Sequence, residues 1–348
     1  MKQSLAGLSL AELTELLKPL PVFRARQLFR HLCCGTRSFA EMTDFSLSLR
    51  ESMERRFSLY SSEVAQRFVD RDGSVKLQID LSDGARIEAV LLSDENGRKT
   101  ACLSTQAGCP MGCVFCKTGS LGFNRNLTSA EMTEQFLHLQ AAAGSRINNV
   151  VVMGMGEPLL NMTELRKTLL FLTGQDFGSR QFSKRKVTVS TCGIVAGIRE
   201  LAENGPDVRI ALSLTTADED LRGRLMKASA ANPLSALRNA LLSYQQRRKR
   251  RITLEAVLLG GVNTRQKDVD ALTVFVQGLD VAVNLIPWNP VVGALFEGAP
   301  LRQPSRAETD GFAERLRKQK VNVTVRLKRG RGIAGACGQL GRLSDTRV

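Results

Sequence analysis

The segment Cys109-Pro110-Met111-Gly112-Cys113-Val114-Phe115-Cys116 places three thiols within eight residues, with the spacing C-x3-C-x2-C. A short loop with this spacing can bring three thiolates to one face of a cluster of soft metal ions. Gly108 and Gly112 allow the tight backbone turns that such a loop needs. A structural zinc site takes four protein ligands, and no further Cys or His follows nearby. The segment therefore predicts a four-iron cubane cluster, with one iron left open to a small ligand.

The charge of the chain indicates its class of partner. The 348 residues include 49 Lys and Arg against 34 Asp and Glu, which gives a formal net charge of +15. A surplus of this size attracts polyanions, so nucleic acid is the first partner to consider, and a merely basic surface is the alternative. Basic residues are concentrated at Arg24–Arg30 and Arg247–Arg251. Both clusters are candidate RNA contacts.

The inventory of other residues excludes several classes of site. His31 and His138 are the only histidines, which argues against a His-based metal site and against a Ser-His-Asp triad. No apolar run suggests a transmembrane helix or a signal peptide, so we expect a cytoplasmic protein. In that compartment, eight cysteines indicate metal binding or catalysis rather than disulfides.

From about residue 105 the hydrophobic pattern alternates between strands and helices. This alternation is typical of parallel βα units, in an open sheet or in a full or partial barrel. The predicted strands are 149–153, 186–191, 207–214, 252–258, 282–286 and 321–327. The predicted helices are 129–142, 162–172, 195–204, 233–246, 266–277 and 306–318.

The first hundred residues have two other patterns. A capping-box sequence at Ser9 begins a series of basic helices. Further on, Val75–Ile79 alternates as a strand, and Asp72-Gly73 and Asp83-Gly84 are hairpin turn signals. Glu88 lies in the next strand, where a lone carboxylate is usually a surface residue. These patterns predict a basic helical domain at 1–60, a β-rich extension at 61–104 and a catalytic domain at 105–348.

Five blocks of sequence resemble one enzyme family. In chain order they are Cys102–Cys109, Gly122–Asn126, Gly154–Pro158, Asn284–Pro290 and Ala336–Leu340. With an aromatic residue before its last Cys, the C-x3-C-x2-C motif looks like the signature of the radical S-adenosylmethionine (SAM) superfamily. The five blocks are similar to those of its dual-specificity RNA adenine methyltransferases, which include a C2-methylating enzyme and a C8-methylating relative. The resemblance covers the β extension and the catalytic domain, and more loosely the helical N-terminus.

The resemblance implies a fold and an activity. The fold would be α/β, a partial (βα)6-type radical SAM barrel with a small helical N-terminal domain and a short β extension. The activity would be methylation of an adenine carbon, C2 in preference to C8, in large-subunit ribosomal RNA and also in tRNA. It would use a 4Fe–4S cluster and two SAM molecules per turnover. The resemblance also implies an electron donor such as flavodoxin or ferredoxin. It further implies a monomer that is not associated with a membrane.

The resemblance further implies the roles of individual residues. Cys337 would carry the methyl group, and Cys102 would release the protein–RNA adduct through a disulfide with it. Glu88 would accept the proton lost by the substrate. The matching cluster ligands are Cys109, Cys113 and Cys116, and the matching SAM contacts are Gly156, Glu157, Ser190, Ser213, Leu214, Thr215 and Asn289.

Two positions depart from the family pattern. Thr215 stands where a His is usual, and Arg331 stands in a stretch before Cys337 that is usually acidic. The reversed charge leaves open which RNA and which adenine carbon are the substrate. The alternatives are C8 methylation, another RNA, a non-methylating radical enzyme, and an RNA-binding protein with a structural cluster. Cys337 together with Cys102 distinguishes the last of these, because a structural cluster needs neither.

Overall fold

The structure, a computed structural model, describes residues 2–174, 182–227, 231–326, 329–330 and 332–341. A ten-stranded sheet runs through most of them, with helices packed on it and a small helical unit before it. The elements of this first unit are β1 (Gln3–Ser4), α1 (Leu10–Leu16), α2 (Val22–Cys34), α3 (Leu47–Arg56) and β2 (Phe57–Ser58).

The start of α1 confirms the predicted capping box. The Glu12 N–H donates to Oγ of Ser9 at 3.2 Å, and the Ser9 N–H donates to the Glu12 carboxylate at 2.7 Å. Both bonds satisfy N–H groups that have no partner inside the helix.

Three antiparallel strands follow, joined by the two predicted turns. Asp72-Gly73 and Asp83-Gly84 connect them, and Gly73 and Gly84 have φ angles of 78° and 82°, which favour glycine. The strands are β3 (Glu63–Val69), β4 (Val75–Asp80) and β5 (Arg86–Ser93).

The rest of the chain alternates strands and helices as predicted, and the ends of each predicted element lie within two residues of those observed. Seven strands and α-helices described in this part of the chain were not individually predicted: Lys99–Cys102, Gln106–Gly108, Lys117–Ser120, Phe123–Asn126, Glu219–Leu225, Leu295–Phe296 and Ala299–Pro300. In the described part of the chain, no helix is both long and apolar enough to cross a membrane. The elements are β6 (Lys99–Cys102), β7 (Gln106–Gly108), α4 (Lys117–Ser120), β8 (Phe123–Asn126), α5 (Ser129–Ala143), β9 (Asn149–Val152), α6 (Met162–Thr173), β10 (Val187–Thr191), α7 (Val195–Asn204), β11 (Arg209–Ser213), α8 (Glu219–Leu225), α9 (Leu234–Arg248), β12 (Ile252–Leu258), α10 (Gln266–Val276), β13 (Val281–Pro287), β14 (Leu295–Phe296), β15 (Ala299–Pro300), α11 (Arg306–Lys318) and β16 (Val323–Val325).

The sheet has the order β16-β13-β12-β11-β10-β9-β6-β5-β4-β3. From β6 to β16 its seven strands are parallel, and β5, β4 and β3 continue it antiparallel. Among the described residues, β6 and β16 are not hydrogen-bonded to each other, so the barrel is partial, as predicted. One sheet thus crosses the predicted boundary at residue 104, and the division into three domains stays a prediction.

A buried carboxylate joins the N-terminal unit to the barrel. Glu134, on α5, accepts hydrogen bonds from the N–H groups of Ser61 and Ser62, both at 2.8 Å, and from Oγ of Ser4 at 3.0 Å. Burial raises the pKa of Glu134, and these donors oppose that shift. This contact accounts for one of the polar residues on the largely buried surface of α5.

Candidate active site

A cavity opens at the carboxyl ends of the parallel strands. Its empty space, counted to the mouth, is about 1060 Å³, which is at the upper end for a small-molecule site. Active sites of βα barrels lie at this end of the strands. The predicted site residues that line it are Cys109, Cys113, Cys116, Gly156, Glu157, Ser190, Ser213, Thr215, Asn289 and Cys337.

The cysteine loop, residues 109–116, is closed by short-range backbone hydrogen bonds. The N–H of Cys109 donates to the carbonyl of Gly122 at 2.7 Å, and the N–H of Cys116 donates to that of Cys113 at 3.1 Å. Gly112 has a φ of 59°, in the left-handed region. The loop thereby directs all three thiols to one wall of the cavity.

The donor set suits a cluster rather than a single ion. In the described ranges, no three His, Cys, Asp or Glu side chains could hold one metal ion together. A cubane cluster is wider, and each Cys binds a different iron. The same cavity also contains buried polar atoms with no hydrogen-bond partner in the described structure: Thr215 Oγ1, Asn289 Oδ1 and Glu255 Oε2. Such atoms need a polar ligand, so the residues present fit a cluster with SAM beside it.

The environment of the thiols favours their neutral form. Burial raises the pKa of Cys109 to about 11 and also raises the pKa of Cys113 and of Cys116. At Cys109 and Cys113 the charge of a neighbouring thiolate acts in the same direction. Because iron binds thiolates, cluster binding must release these protons.

Gly156 and Glu157 form the wall after β9. Gly156 has a φ of 99°, and a Cβ there would lie 2.6 Å from Cβ of Gln106, so a side chain would clash. The Glu157 carboxylate is buried and accepts the N–H of Cys192 at 2.8 Å and that of Leu159 at 3.0 Å. Burial raises the pKa of Glu157, and these N–H groups oppose that shift. A carboxylate held in this way is suited to accept hydrogen bonds from an ammonium group.

The ends of β10 and β11 bring the two predicted serines together. Ser190 Oγ and Ser213 Oγ lie 3.2 Å apart. Thr215 has a φ of 61° and faces the cavity with its unpartnered hydroxyl. Leu214 differs, because its side chain is fully buried and lines a small cavity behind the site. Its N–H donates to the carbonyl of Glu255 at 3.0 Å.

The C-terminal segment closes one side of the cavity. We call its described residues, 329–330 and 332–341, the tail. Asn289 Nδ2 donates to the carbonyl of Cys337 at 3.2 Å, and Thr118 Oγ1 donates to that of Leu340 at 2.7 Å. These bonds hold Cys337 beside the cysteine loop.

Cys102 lies in a second cavity, on the other side of Cys337. This cavity, of about 1430 Å³ to its mouth, is lined by residues of both β6 and β16. Cys337 faces both cavities, and Cys102 faces only the second. Burial raises the pKa of the Cys102 thiol to about 12, the charge of Cys337 adds to this, and the Arg326 guanidinium opposes it.

Glu88 lies next to the tail but lines neither cavity. Its side chain is 2 % exposed, contrary to the expectation for a lone strand carboxylate. Oε1 pairs with Nζ of Lys76 at 3.1 Å and accepts from Nε2 of Gln78 at 3.0 Å. Oε2 accepts the N–H of Gly341 at 2.7 Å. The structure thus places Glu88 as an anchor of the tail.

The tail rests on acidic residues of the β3–β4 turn. The N–H of Gly330 donates to Asp72 Oδ2 at 2.9 Å, and the N–H of Gly332 donates to Asp70 Oδ2 at 3.0 Å. Arg331, one of the two positions that depart from the family pattern, lies outside the described residues.

The structure adds site residues that the sequence analysis missed. Glu255, in β12, faces the main cavity, and Arg326 lies 3.8 Å from its Oε2. Burial raises the pKa of Glu255, and the charge of Arg326 opposes the shift. Trp288 Nε1 donates to the carbonyl of Phe115 at 2.8 Å and so supports the cysteine loop. A carboxylate inside the apolar run Ile252–Leu258 was a signal that could have been noticed.

One predicted RNA contact lies far from the site. Arg247–Arg251 precedes β12 and is therefore at the amino ends of the strands, opposite to the cavity. Two of its members are ion-paired, Arg250 with Asp207 at 2.7 Å and Arg251 with Asp280 at 2.8 Å.

Several known proteins are similar to this chain over most of its length. A family model described as the radical SAM superfamily matches residues 103–272. A probable dual-specificity RNA methyltransferase RlmN of Treponema denticola is 45 % identical over 340 residues, 98 % of this chain and 96 % of that protein. A protein of the same name from Thermus thermophilus is 43 % identical over 309 residues, 88 % of this chain and 85 % of that one. The crystal structure of a radical SAM methyltransferase from Sphaerobacter thermophilus has a TM-score of 0.90 at 36 % identity and covers 97 % of this chain and 99 % of that chain.

Proposed function

Since this chain belongs to the family of dual-specificity radical SAM RNA methyltransferases, we propose that it methylates carbon 2 of an adenine in RNA. The enzyme acts on RNA and uses SAM with a 4Fe–4S cluster. An adenine of large-subunit ribosomal RNA is the proposed substrate, and a tRNA adenine is a second one. Methylation at carbon 8 is the alternative, because Arg331 departs from the family pattern in the stretch before Cys337.

The position of Cys337 is the observation that carries this proposal. Its thiol stands between the cavity of the three cluster cysteines and the cavity of Cys102. A structural cluster would need neither of these two further thiols. A carrier thiol needs access to SAM on one side and to a resolving thiol on the other, and a residue that lines both cavities is suited to that role.

We assign the cluster to Cys109, Cys113 and Cys116. When bound, the cluster and SAM supply the one-electron chemistry that opens an unreactive C–H bond. Two SAM molecules are required per turnover, because the methyl group comes from one and its activation consumes another. The residues proposed to hold SAM are Gly156, Glu157, Ser190, Ser213, Leu214, Thr215 and Asn289.

The two remaining cysteines act before and after the new carbon–carbon bond forms. Cys337 takes the methyl group through its thiolate, because the electron-poor carbon of adenine does not react with a cationic methyl donor. Later the Cys102 thiolate attacks Sγ of Cys337. A disulfide forms, the bond from that sulfur to the transferred carbon breaks, and the released electron pair takes up a proton on the methylated base. A dithiol reductant then restores both thiols.

Glu88 is the proposed proton acceptor, and its contacts set a condition on that role. Both carboxylate oxygens are engaged, one of them by the N–H of Gly341. Glu88 therefore becomes available as a base only when the tail moves off it. The same movement would carry Cys337 along, since it lies four residues before Gly341.

The cellular setting of the enzyme follows from its chemistry. A flavodoxin or a ferredoxin is the proposed electron donor, since the cluster takes up one electron at a time. We expect a monomer that works in the cytoplasm, where RNA and reduced thiols are both available.

The proposal is tested by mass spectrometry of modified adenosines. Ribosomal RNA and tRNA are purified from cells lacking the protein, complemented with the parent or with Cys337→Ala. We expect 2-methyladenosine to disappear on deletion and to return only with the parent. Recovery of 8-methyladenosine would favour the alternative carbon. An unchanged modification pattern in both RNAs would refute the proposal.

A further inference from the structure

A charged side chain lies fully buried beside the cysteine loop. Arg222, on α8, is 0 % exposed. Its helix contributes Leu221 and Leu225 to an apolar group that also contains Phe115 and Trp288 and that packs against Cys113 and Cys116. A guanidinium stays protonated in proteins, so burial cannot remove its charge. The positive charge therefore needs a partner there.

The described residues supply only one hydrogen bond to the Arg222 guanidinium. Nη2 of Arg222 donates to the carbonyl of Cys192 at 2.5 Å. Its Nε and Nη1 have no hydrogen-bond partner among the described residues. A buried charge with unpartnered donors is costly, so these two nitrogens indicate a ligand that the described residues do not supply.

Two thiols of the site, Cys113 and Cys192, are close enough to Arg222 to respond to its charge. The charge of Arg222 acts on the thiols of both Cys113 and Cys192 and opposes the effect of their burial. Glu219 also acts on Arg222, but its Oε2 accepts the N–H of Leu234 at 2.8 Å. The unpartnered N–H groups thus belong to a guanidinium that lies beside a predicted iron ligand.

Neighbouring residues hold this guanidinium in place. Gly193 has a φ of 107°, and a Cβ there would lie 3.2 Å from Nη2 of Arg222. Cys192, whose carbonyl accepts Nη2, donates its own N–H to Glu157. The predicted SAM-binding carboxylate, Cys192 and Arg222 therefore form one connected chain.

We propose that Arg222 is the counter-charge of the cluster, whose sulfur atoms accept hydrogen bonds from its unpartnered Nε and Nη1. This inference rests on the cluster assignment made above. Reduction adds an electron to a buried site that already carries thiolates. A fixed positive charge and N–H donors stabilise that reduced form most, so they raise its reduction potential. Arg222 acts through the cluster and is a tuning residue, not a catalytic one.

The test compares the cluster potential in four variants. The full chain is reconstituted anaerobically with iron and sulfide as parent, Arg222→Met, Arg222→Lys, Arg222→Gln and Arg224→Met. Arg224 is the matched control, because it lies on the same helix, is 50 % exposed and pairs with Glu297. Iron content is measured first, and the potential is then measured by EPR-monitored titration without SAM or RNA.

We expect equal iron content and a shift to more negative potential for Arg222→Met. Arg222→Lys should shift less, because it keeps the charge but loses the planar donor set, and Arg224→Met should match the parent. An iron-loaded Arg222→Met with the parent potential would overturn the inference, even if SAM affinity or stability fell. If Arg222→Met does not fold, equal potentials in the Lys and Gln variants would overturn it. A parent that takes up no iron would instead refute the cluster assignment itself.

Discussion

The cysteine loop and the tail bring sulfur to the same cavity but are held there differently. Cys109 and Cys116 are fixed by bonds to Gly122 and Cys113, which are near neighbours in sequence. The tail is fixed by Thr118, Glu88 and Asp72, which are 222, 253 and 258 positions away from the residues they hold. The loop is thus closed by short-range bonds and only supported from outside, by Trp288 and Leu225, whereas the tail is anchored by residues from distant parts of the fold. The two should therefore be separable by mutation.

The largest effect is expected in the loop. Cys113→Ser should lower bound iron from about four per chain to background and abolish RNA methylation, because three thiolates are the fewest that hold a cubane. Cys192→Ser is the control, since Cys192 lines the same cavity outside the C-x3-C-x2-C motif. Iron analysis and the visible absorption spectrum are the measurements. Full iron uptake by Cys113→Ser, or stoichiometric zinc in the parent, would contradict the assignment.

Mutation of the proposed carrier and resolving thiols, Cys337 and Cys102, should leave cluster binding intact. Cys337→Ala should bind iron as the parent does and should not methylate RNA, since no sulfur could present the methyl group. Cys102→Ala should still accept the methyl group and then accumulate a covalent protein–RNA adduct. The adduct is measured on a denaturing gel with labelled RNA, which is run with both variants and with the parent. The mechanism would be wrong if Cys102→Ala accumulated no adduct and Cys337→Ala still methylated RNA.

A smaller effect is expected where the tail meets the sheet. Glu88→Gln should lower the free energy of unfolding by about 3 kcal/mol, because it leaves the buried Lys76 charge unpaired. The double variant Lys76→Met/Glu88→Gln should recover most of that loss, since it removes both charges. Denaturant unfolding of the three proteins gives the comparison. Equal stabilities of the single and double variants would mean that the pair contributes no coupling.

The smallest effect is expected at the surface of the tail. Partial burial tends to raise the pKa of Asp72, but hydrogen bonds from Gly330 and Ser74 and the charge of Arg329 hold it below its ordinary value. The contact therefore stabilises the tail above the ordinary pKa of Asp and is lost as the pH falls through the lowered one. Asp72→Asn should speed hydrogen exchange of the tail a few-fold near neutral pH, since such a bond is worth about 1 kcal/mol. The difference from the parent should shrink in acid, and a difference that grows in acid would contradict this account.

Much of the fold could be predicted because its signals are local. The capping box at Ser9, the turns at Asp72-Gly73 and Asp83-Gly84, and the βα alternation after residue 105 all depend on neighbouring residues. Strand β6, in contrast, is only Lys99–Cys102 and is too short to show an alternation. It was placed in the β extension, although it pairs with β9 as the first parallel strand.

For the site, the sequence by itself predicted the three cluster thiols, because the C-x3-C-x2-C spacing places them in one short loop, and all three line one cavity. It also marked Cys102 and Cys337, but only through a family resemblance. Tertiary structure alone decided that Cys102 and Cys337 line one cavity, that Glu88 is buried against the tail, and that the helix of Arg222 packs against the cysteine loop. The physical reason is that burial and charge pairing between distant segments depend on how strands are ordered in a sheet, which no short stretch of sequence contains.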